Sequence, residues 1–209
     1  NRPDILQRLG LYSPPLDASL IPGLEVSGKI VQVGKKVKKF KVNDKVCGLA
    51  HGGGYAEYCK VNERHILPIP KGLDYVEAAG IPETYFTVWA KLFDIGKIKK
   101  NQTVLVHGGS SGIGTTAIQL AKVMGCKVIT TVADKKKAKF CSNLGANLAI
   151  VYRKDDFFEK TMNYTDNAGV NVILDMIGKN YFSKNLKLLS DKGKFISIAF
   201  LSGNKVQLD

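Results

Sequence analysis

Residues 103–132 read TVLVHGGSSGIGTTAIQLAKVMGCKVITTV. An apolar segment ending at His107 leads into a turn of glycine and serine, which is followed by a segment with helical spacing and by a second apolar segment. This order of strand, turn, helix and strand predicts a βαβ unit of the kind that binds dinucleotides. A pyrophosphate binds there to backbone N–H groups at the start of the helix, and larger side chains in place of the glycines would hold it away.

The glycine spacing matches the dinucleotide pattern G-x-G-x-x-G imperfectly. Glycines stand at its first and last positions, but a serine occupies the middle one. A flexible Gly/Ser linker is the alternative, and it would have polar flanks. Here a β-branched apolar run precedes the turn, and Ile118, Ala121 and Val123 give the next segment an apolar stripe. We therefore expect cofactor contacts from Gly109, Ser111, Gly112, Ile113 and Gly114.

Length and composition restrict the remaining possibilities. The chain has 209 residues, 44% of them hydrophobic, and no apolar run long enough for a membrane span, so we expect a soluble globular protein. It begins at Asn1 rather than at a methionine and stops just after a predicted strand, which suggests a fragment lacking both ends. Four cysteines stand singly, without zinc or disulfide spacing, and are expected to be reduced thiols of an intracellular protein.

The net charge of +13 raises the possibility of a nucleic-acid partner. Lys+Arg number 31 against 18 for Asp+Glu, but the lysines form short clusters and no arginine-rich or aromatic-interleaved stripe is present. We therefore expect solvated faces and attraction for an anionic cofactor.

The two halves of the chain differ in their sequence patterns. Residues 20–70 contain short β-branched segments broken by glycine, with strands expected at 26–33, 45–49, 55–61 and 65–69. Helical spacing follows at 75–80 and 84–94, with an interruption at Ile81 and Pro82. We expect a change of domain near Glu83, which gives domains of residues 1–83 and 84–209.

Strands and helices alternate regularly in the second half. Strands are expected at 103–107, 127–132, 149–152, 170–175 and 194–199, and helices at 112–124, 135–144, 156–165 and 181–189. Apolar strands that alternate with helices predict a parallel sheet covered on both faces, and hence an α/β fold with a doubly wound sheet.

Four stretches together resemble one family, and the resemblance extends over nearly the whole chain. They are residues 21–28 (IPGLEVSG), 42–46 (VNDKV), 104–120 and 169–178 (GVNVILDMIG). The chain looks like a member of the zinc-independent medium-chain dehydrogenase/reductase family, in its quinone oxidoreductase (zeta-crystallin-like) branch, and the last stretch fits the subgroup of the p53-inducible quinone oxidoreductase. The resemblance implies a GroES-like bent β-domain and a Rossmann domain that binds NADPH, both incomplete here.

Leu24 distinguishes this sequence from the zinc alcohol dehydrogenases. Those enzymes carry Gly-His-Glu where this chain has Gly23, Leu24 and Glu25, so the imidazole ligand of a catalytic zinc is replaced by an alkyl group. We therefore expect no metal. Reduction without a Lewis acid suits an electron-poor acceptor such as a quinone better than an alcohol.

The choice between NADPH and NADH depends on the end of the second strand, and the signals conflict. Asp134 lies about where an NAD-selective carboxylate is expected, whereas three lysines at 135–137 favour a 2′-phosphate. The resemblance identifies Lys137 as the phosphate-binding lysine and places Tyr152 beside the adenosine phosphate, which favours NADPH. An exposed helix turn for the lysines and a core position for Tyr152 are the alternatives.

The resemblance also implies contacts near the nicotinamide. Thr87 matches a threonine that touches that end of the cofactor, and Ile177 and Gly178 would line its pocket. Thr87 could equally be an ordinary helix residue.

The substrate side is expected to come from Asn1, Asp4 and Tyr12, because in relatives this stretch faces the nicotinamide. Tyr12 is the candidate catalytic residue, either stacking on a quinone or donating a hydrogen bond to the oxygen that becomes anionic. A turn tyrosine before two prolines is the alternative. The histidines, His51, His65 and His107, are expected to be structural, since none belongs to a nucleophile motif.

These observations predict an NADPH-dependent quinone reductase, cytoplasmic and homodimeric, that transfers hydride without a metal. One alternative is an NADPH-dependent reductase of enone or alkenal double bonds. A second is an NADPH-binding protein whose basic surface captures RNA, an activity reported in the family.

Overall fold

A computed structural model describes residues 1–207, which form two compact units. The first unit is Asn1–Phe86 and the second begins at Thr87. The proposed domains of residues 1–83 and 84–209 remain a prediction, and residues 208 and 209 of the second domain lie outside the described part.

The first unit contains a small antiparallel sheet. Its strands are β1 (Glu25–Lys29), β2 (Lys45–Leu49) and β3 (Ile66–Pro68), in the order β1-β2-β3. Its helices are α1 (Arg2–Arg8) and α2 (Tyr75–Ala79), and α3 (Pro82–Val88) begins here and contains the division between the units. A 3₁₀ turn covers Glu63–His65. The π-helical segment Trp89–Ile95 continues α3 and belongs to the second unit.

One strand expected in this unit is absent from the described residues. Residues 55–61 form bends and irregular backbone instead of a strand. Tyr55 and Tyr58 are strongly exposed, so the alternation in this segment does not bury one face against the sheet, as a strand of this kind requires. The first strand is also shorter than expected, because regular pairing with β2 ends at Lys29.

The second unit is built around a five-stranded parallel sheet in the order β6-β5-β4-β7-β8. The strands are β4 (Thr103–His107), β5 (Lys127–Val132), β6 (Leu148–Val151), β7 (Val170–Asp175) and β8 (Leu189–Ser197), and the helices are α4 (Gly112–Val123), α5 (Lys135–Leu144), α6 (Phe157–Tyr164) and α7 (Lys179–Leu188). This strand order is that of the Rossmann fold, which confirms the predicted architecture.

Apolar side chains cover both faces of the parallel sheet. Alternate residues of a strand point to opposite faces, and accordingly Val104 and Val106 belong to one buried cluster while Leu105 belongs to the other. All five residues of β4 are buried. A central strand buried on both sides requires such a continuous apolar run, which is why the sequence predicted β4 so well.

The strand order reverses between β4 and β7. From β4 the chain continues to β5 and β6 on one side of β4, and it then crosses to β7 and β8 on the other side. Ligands of doubly wound sheets bind outside the carboxyl ends of the strands at such a point. Here those ends are His107 and Asp175, and the segments that follow them form the candidate cofactor site.

Candidate functional site

The turn after β4 is closed by hydrogen bonds around Gly108. This glycine has φ +71°, a left-handed conformation that favours glycine. Its carbonyl oxygen accepts a hydrogen bond from the Ser111 N–H at 2.9 Å and from the Ser111 hydroxyl at 2.7 Å. The Gly109 N–H donates to the carbonyl of Thr131 at 3.1 Å, which ties the turn to β5.

Two glycines of the turn leave no room for a side chain. A Cβ atom on Gly109 would lie 2.0 Å from Oγ1 of Thr130, and one on Gly114 would lie 2.3 Å from the carbonyl oxygen of Gly108. Both distances are far inside van der Waals contact. The glycines therefore bring the start of α4 against β4 and β5, the close helix-to-strand packing that the dinucleotide motif requires.

The first turn of α4 presents backbone donors. Ser111 is the N-cap, and its hydroxyl oxygen accepts a hydrogen bond from the Gly114 N–H at 3.0 Å. The first N–H groups of a helix have no partner within the helix, and with the Gly114 N–H satisfied, those of Gly112 and Ile113 remain as donors for a ligand. Together with the helix dipole, they make this end of α4 suited to an anion. The Ser111 hydroxyl is already engaged within the turn.

The segment after β7 lies beside this turn. Asp175 is fully buried, and its carboxylate accepts hydrogen bonds from the N–H groups of Ile177 (3.0 Å) and Gly178 (2.9 Å). Gly178 has φ +85°, and a Cβ on it would lie 2.6 Å from a backbone oxygen. A Cβ on Gly108 would lie 2.8 Å from Sδ of Met176. The structure therefore brings the glycine turn and the predicted nicotinamide segment together.

The ends of β5 and β6 bring together the segments that carry three other predicted cofactor residues. The Tyr152 N–H donates to the carbonyl of Val132 at 3.1 Å, so Tyr152 lies beside the segment that leads to Asp134. Asp134 is the N-cap of α5, and its carboxylate accepts a hydrogen bond from the Lys137 N–H at 2.8 Å. The side chains of Asp134, Lys137 and Tyr152 are exposed. Thr87 lies half-buried in α3, and no hydrogen bond among residues 1–207 joins it to the turn.

The three predicted substrate residues line two cavities of the first unit. Asn1 and Asp4 line a cavity of about 270 Å³, and Tyr12 lines a second of about 210 Å³. Leu24 lines both, so the cavities are neighbours. Tyr12 is half-exposed, whereas Asp4 is buried and accepts a hydrogen bond from the Gly23 N–H at 3.0 Å. This contact gives Asp4 a structural role as well.

Two glutamates in these cavities were missed by the sequence reasoning. Glu25 accepts hydrogen bonds from the Asn1 side-chain amide at 2.8 Å and from the Glu83 N–H at 2.9 Å. Partial burial raises the pKa of Glu83, and the nearby carboxylates of Glu25 and Asp4 raise it further. Glu83 lines the same cavity as Tyr12. Glu25 directly follows the distinctive Leu24, a signal that was available, whereas Glu83 gave none.

The described residues, 1–207, contain no group of three or more His, Cys, Asp or Glu side chains placed to hold a metal ion. Leu24 occupies a wall of both cavities, and an alkyl side chain offers a metal no donor atom. Within the same range, no helix has the length and apolarity needed to cross a membrane.

Comparisons with known proteins agree with this geometry. The family model described as "Alcohol dehydrogenase GroES-like domain" matches residues 1–71, and the one described as "Zinc-binding dehydrogenase" matches residues 112–209. The chain is 33% identical over its whole length to the "Quinone oxidoreductase-like protein 2 homolog" of Nematostella vectensis, of which it covers 57%. The chain belongs to the quinone oxidoreductase branch of the medium-chain dehydrogenase/reductase family.

Solved structures of this family superpose on the whole chain or nearly all of it. The quinone oxidoreductase of Escherichia coli, solved in complex with NADPH, has a TM-score of 0.87 and 29% identity, with 100% of this chain and 64% of that one covered. The CurK enoyl reductase has a TM-score of 0.85 and 31% identity, with 95% and 62% covered. The chain thus spans less than two thirds of each of these relatives. Membership of the p53-inducible subgroup stays a prediction.

Proposed function

We propose that the chain is part of an NADPH-dependent oxidoreductase that transfers hydride to a quinone. The observation that carries the proposal is the turn between β4 and α4, where Gly109 and Gly114 have no room for a Cβ and the helix presents free N–H groups. Among relatives, the Escherichia coli quinone oxidoreductase was solved with NADPH. When bound, NADPH supplies hydride from its nicotinamide ring.

The diphosphate would bind at the start of α4. The N–H groups of Gly112 and Ile113 would donate to its oxygens, and the positive end of the helix dipole would stabilise its charge. Ser111 would act mainly by holding the turn, since its hydroxyl bridges the Gly108 carbonyl and the Gly114 N–H. Ile177 and Gly178 would line the nicotinamide end of the same site, because their segment lies against Gly108.

A 2′-phosphate would bind near Lys137 and Tyr152. The side chains of both are exposed, and they follow neighbouring parallel strands. The carboxylate of Asp134 accepts the Lys137 N–H as a helix cap, and its charge would oppose a phosphate at this place. The ammonium of Lys137 supplies the opposite charge. Thr87 is proposed as a contact near the nicotinamide on the family resemblance alone.

The quinone would occupy the cavity that contains Tyr12. Hydride transfer leaves negative charge on a quinone oxygen, and the Tyr12 hydroxyl is the group we propose to donate a hydrogen bond to it. Asn1 and Asp4 would shape the neighbouring cavity around Leu24. Since Leu24 gives a metal no ligand, the proposed acceptor is one that takes hydride without Lewis-acid activation.

Quinone-dependent oxidation of NADPH by the full chain tests this function. The assay follows NADPH absorbance with an ortho-quinone as acceptor, with and without the protein. Oxidation that requires both protein and quinone would support the proposal. Tight NADPH binding with no turnover of any of several ortho- and para-quinones would contradict quinone reduction while leaving the cofactor site intact.

Reduction of an activated double bond is the second candidate. The CurK enoyl reductase is structurally similar over 95% of this chain, and a hydrogen-bond donor such as Tyr12 would equally stabilise the enolate formed from an enone. Comparing kcat/KM for an enone and for an ortho-quinone under identical NADPH separates the two. A larger value for the enone would replace the first candidate with the second.

We also propose a cytoplasmic homodimer. The four cysteines of the chain are free, as expected in a reducing compartment. The family resemblance is what supports a dimer. Light scattering coupled to size-exclusion chromatography tests the dimer. RNA capture by the lysine-rich surface stays a prediction, tested by the salt dependence of RNA affinity.

A further inference from the structure

His107 is a buried histidine directly behind the glycine turn. It ends β4, its side chain is fully buried, and it immediately precedes Gly108. Its ring packs edge-on against Phe157 at a centroid distance of 5.0 Å and against Tyr181 at 4.8 Å. Since aromatic side chains cover the ring, its two nitrogens can form polar contacts only with groups already inside the fold.

Both nitrogens have a hydrogen-bond partner. Nδ1 lies 3.0 Å from Oγ1 of Thr131, and Nε2 lies 2.7 Å from the amide oxygen of Asn185. An amide oxygen only accepts, so Nε2 carries the hydrogen and Nδ1 accepts from the Thr131 hydroxyl. Burial lowers the pKa of His107, although Asn185 and the charge of Asp175 partly oppose this effect, and the lowered pKa agrees with a neutral ring.

The two partners belong to the two cofactor segments. Oγ1 of Thr131 lies 3.4 Å from the Gly108 N, and the Thr131 carbonyl accepts from the Gly109 N–H at 3.1 Å. Asn185 lies on α7, the helix that begins directly after Gly178. One imidazole ring therefore connects the glycine turn with the helix that follows the predicted nicotinamide segment.

Asn185 satisfies only part of its hydrogen-bonding capacity. Its amide nitrogen is fully buried and has no partner within residues 1–207. An unpaired buried donor reduces stability, and a leucine of similar size would avoid this. The amide oxygen that it presents to His107 is the feature that a leucine could not supply.

We propose that His107 is a positioning residue of the cofactor site, which acts through Thr131 on the turn at Gly108 and Gly109 and through Asn185 on the helix that follows Gly178. This inference rests on the proposed NADPH site and adds to it the internal side chains that fix its shape. His107 itself touches no ligand, since it is fully enclosed. The turn that it holds, at Gly108 and Gly109, leads directly to the N–H groups of Gly112 and Ile113 at the start of α4.

Thr131→Val is the direct test, with Thr161→Val as its matched control. Both threonines are buried to within 1% exposure in the same unit, and both changes replace a hydroxyl by a methyl group. The Thr161 hydroxyl oxygen has no partner among the described residues and lies on α6. We expect Thr131→Val to weaken NADPH binding about fivefold by calorimetry, with KM raised and kcat at saturation retained. Thr161→Val should leave the NADPH affinity, KM and kcat unchanged.

A double-mutant cycle with Asn185→Leu tests whether the two residues act through the same ring rather than through a general loss of stability. If both residues act through the His107 ring, the double variant should weaken NADPH binding by less than the product of the two single effects. Melting without NADPH is measured in parallel on all four proteins. The inference would be overturned if the double variant weakens NADPH binding by the full product of the two single effects. It would also be overturned if the variants bind NADPH as tightly as the unchanged chain.

NADPH binding by the unchanged chain distinguishes failure of this inference from failure of the function on which it rests. If it fails to bind NADPH, the proposed cofactor site falls and this inference falls with it. If it binds NADPH and both single variants bind equally well, the site stands and only the role of His107 is removed. Should Thr131→Val fail to fold, Asn185→Leu alone gives the answer by the same affinity measurement.

Discussion

Sδ of Met176 lies 3.9 Å from the hydroxyl oxygen of Ser111. The two residues stand in the segments that follow β7 and β4, and their contact shows that the chain approaches itself at the point where the strand order reverses. Because Ser111 caps α4 and Met176 leads into Ile177 and Gly178, the backbone donors and the predicted nicotinamide segment form one continuous surface. The proposed cofactor site follows from this proximity.

Gly109→Ala should damage the fold and abolish NADPH binding together. A Cβ would lie 2.0 Å from Oγ1 of Thr130, so α4 or β5 must move, at a cost of about 1–3 kcal/mol in the free energy of unfolding. Gly28→Ala is the control, because a Cβ there meets no atom within 4 Å. Thermal melting and calorimetry measure the two effects. Normal NADPH affinity in Gly109→Ala would show that the close approach is unnecessary.

Two substitutions of Asp134 separate its role as the cap of α5 from its effect on the choice between NADPH and NADH. Asp134→Ala removes the cap on the Lys137 N–H and should cost about 1 kcal/mol in the free energy of unfolding. Asp134→Ser keeps a capping oxygen and removes the charge, so it should preserve stability and raise the preference for NADPH over NADH. Urea unfolding and the ratio of the two dissociation constants test this. If the serine variant loses as much stability as the alanine variant, the cap contributes nothing.

Tyr12→Phe should lower quinone turnover and leave NADPH affinity intact. The change removes only the hydroxyl that we propose as the donor to the reduced oxygen. Tyr58→Phe serves as the control, since Tyr58 is 75% exposed and lines neither cavity. Steady-state kcat with a saturating quinone is the measurement. Unchanged turnover in Tyr12→Phe would leave Tyr12 as a packing residue of its turn.

Glu83 should make the stability of the chain depend on pH. Burial and the charges of Glu25 and Asp4 raise its pKa in the folded state. The side chain therefore favours folding below the ordinary glutamate pKa of about 4.3, and this contribution is lost as pH rises through the folded-state pKa. Glu83→Gln should thus raise Tm at neutral pH and have less effect in acid. Glu57→Gln, at an exposed position, is the control, and equal Tm profiles would contradict the prediction.

Much of the second unit could be predicted from the sequence. β4, β5, β7 and α5 have the predicted bounds, because buried parallel strands require continuous apolar runs and α5 has clear boundaries at Asp134 and Gly145. β8 begins at Leu189 rather than at residue 194, since Leu189 pairs with Val170 and the polar residues 190–192 separate this pair from the regular pairing that resumes at Lys194, across an irregularity in the ladder. That pairing depends on the tertiary fold and leaves no local pattern.

The site was less predictable than the fold. The glycine turn was visible because chain geometry near a diphosphate demands specific residues at fixed spacing. The buried contact between His107 and Asn185 was not, because it joins residues far apart in the chain and depends on how α7 packs on the sheet. His107 was expected to be structural, and the structure shows which two elements it joins.

Calorimetric titration of the full chain with NADPH, and separately with NADH, tests whether the turn between β4 and α4 belongs to an NADPH site. We expect NADPH to bind with a dissociation constant about tenfold or more below that of NADH, because Lys137 and Tyr152 would hold the 2′-phosphate. Lys139→Ala, on the same helix, should leave the ratio unchanged, and Lys137→Ala should reduce it. Absence of heat with both cofactors would contradict the proposed cofactor site.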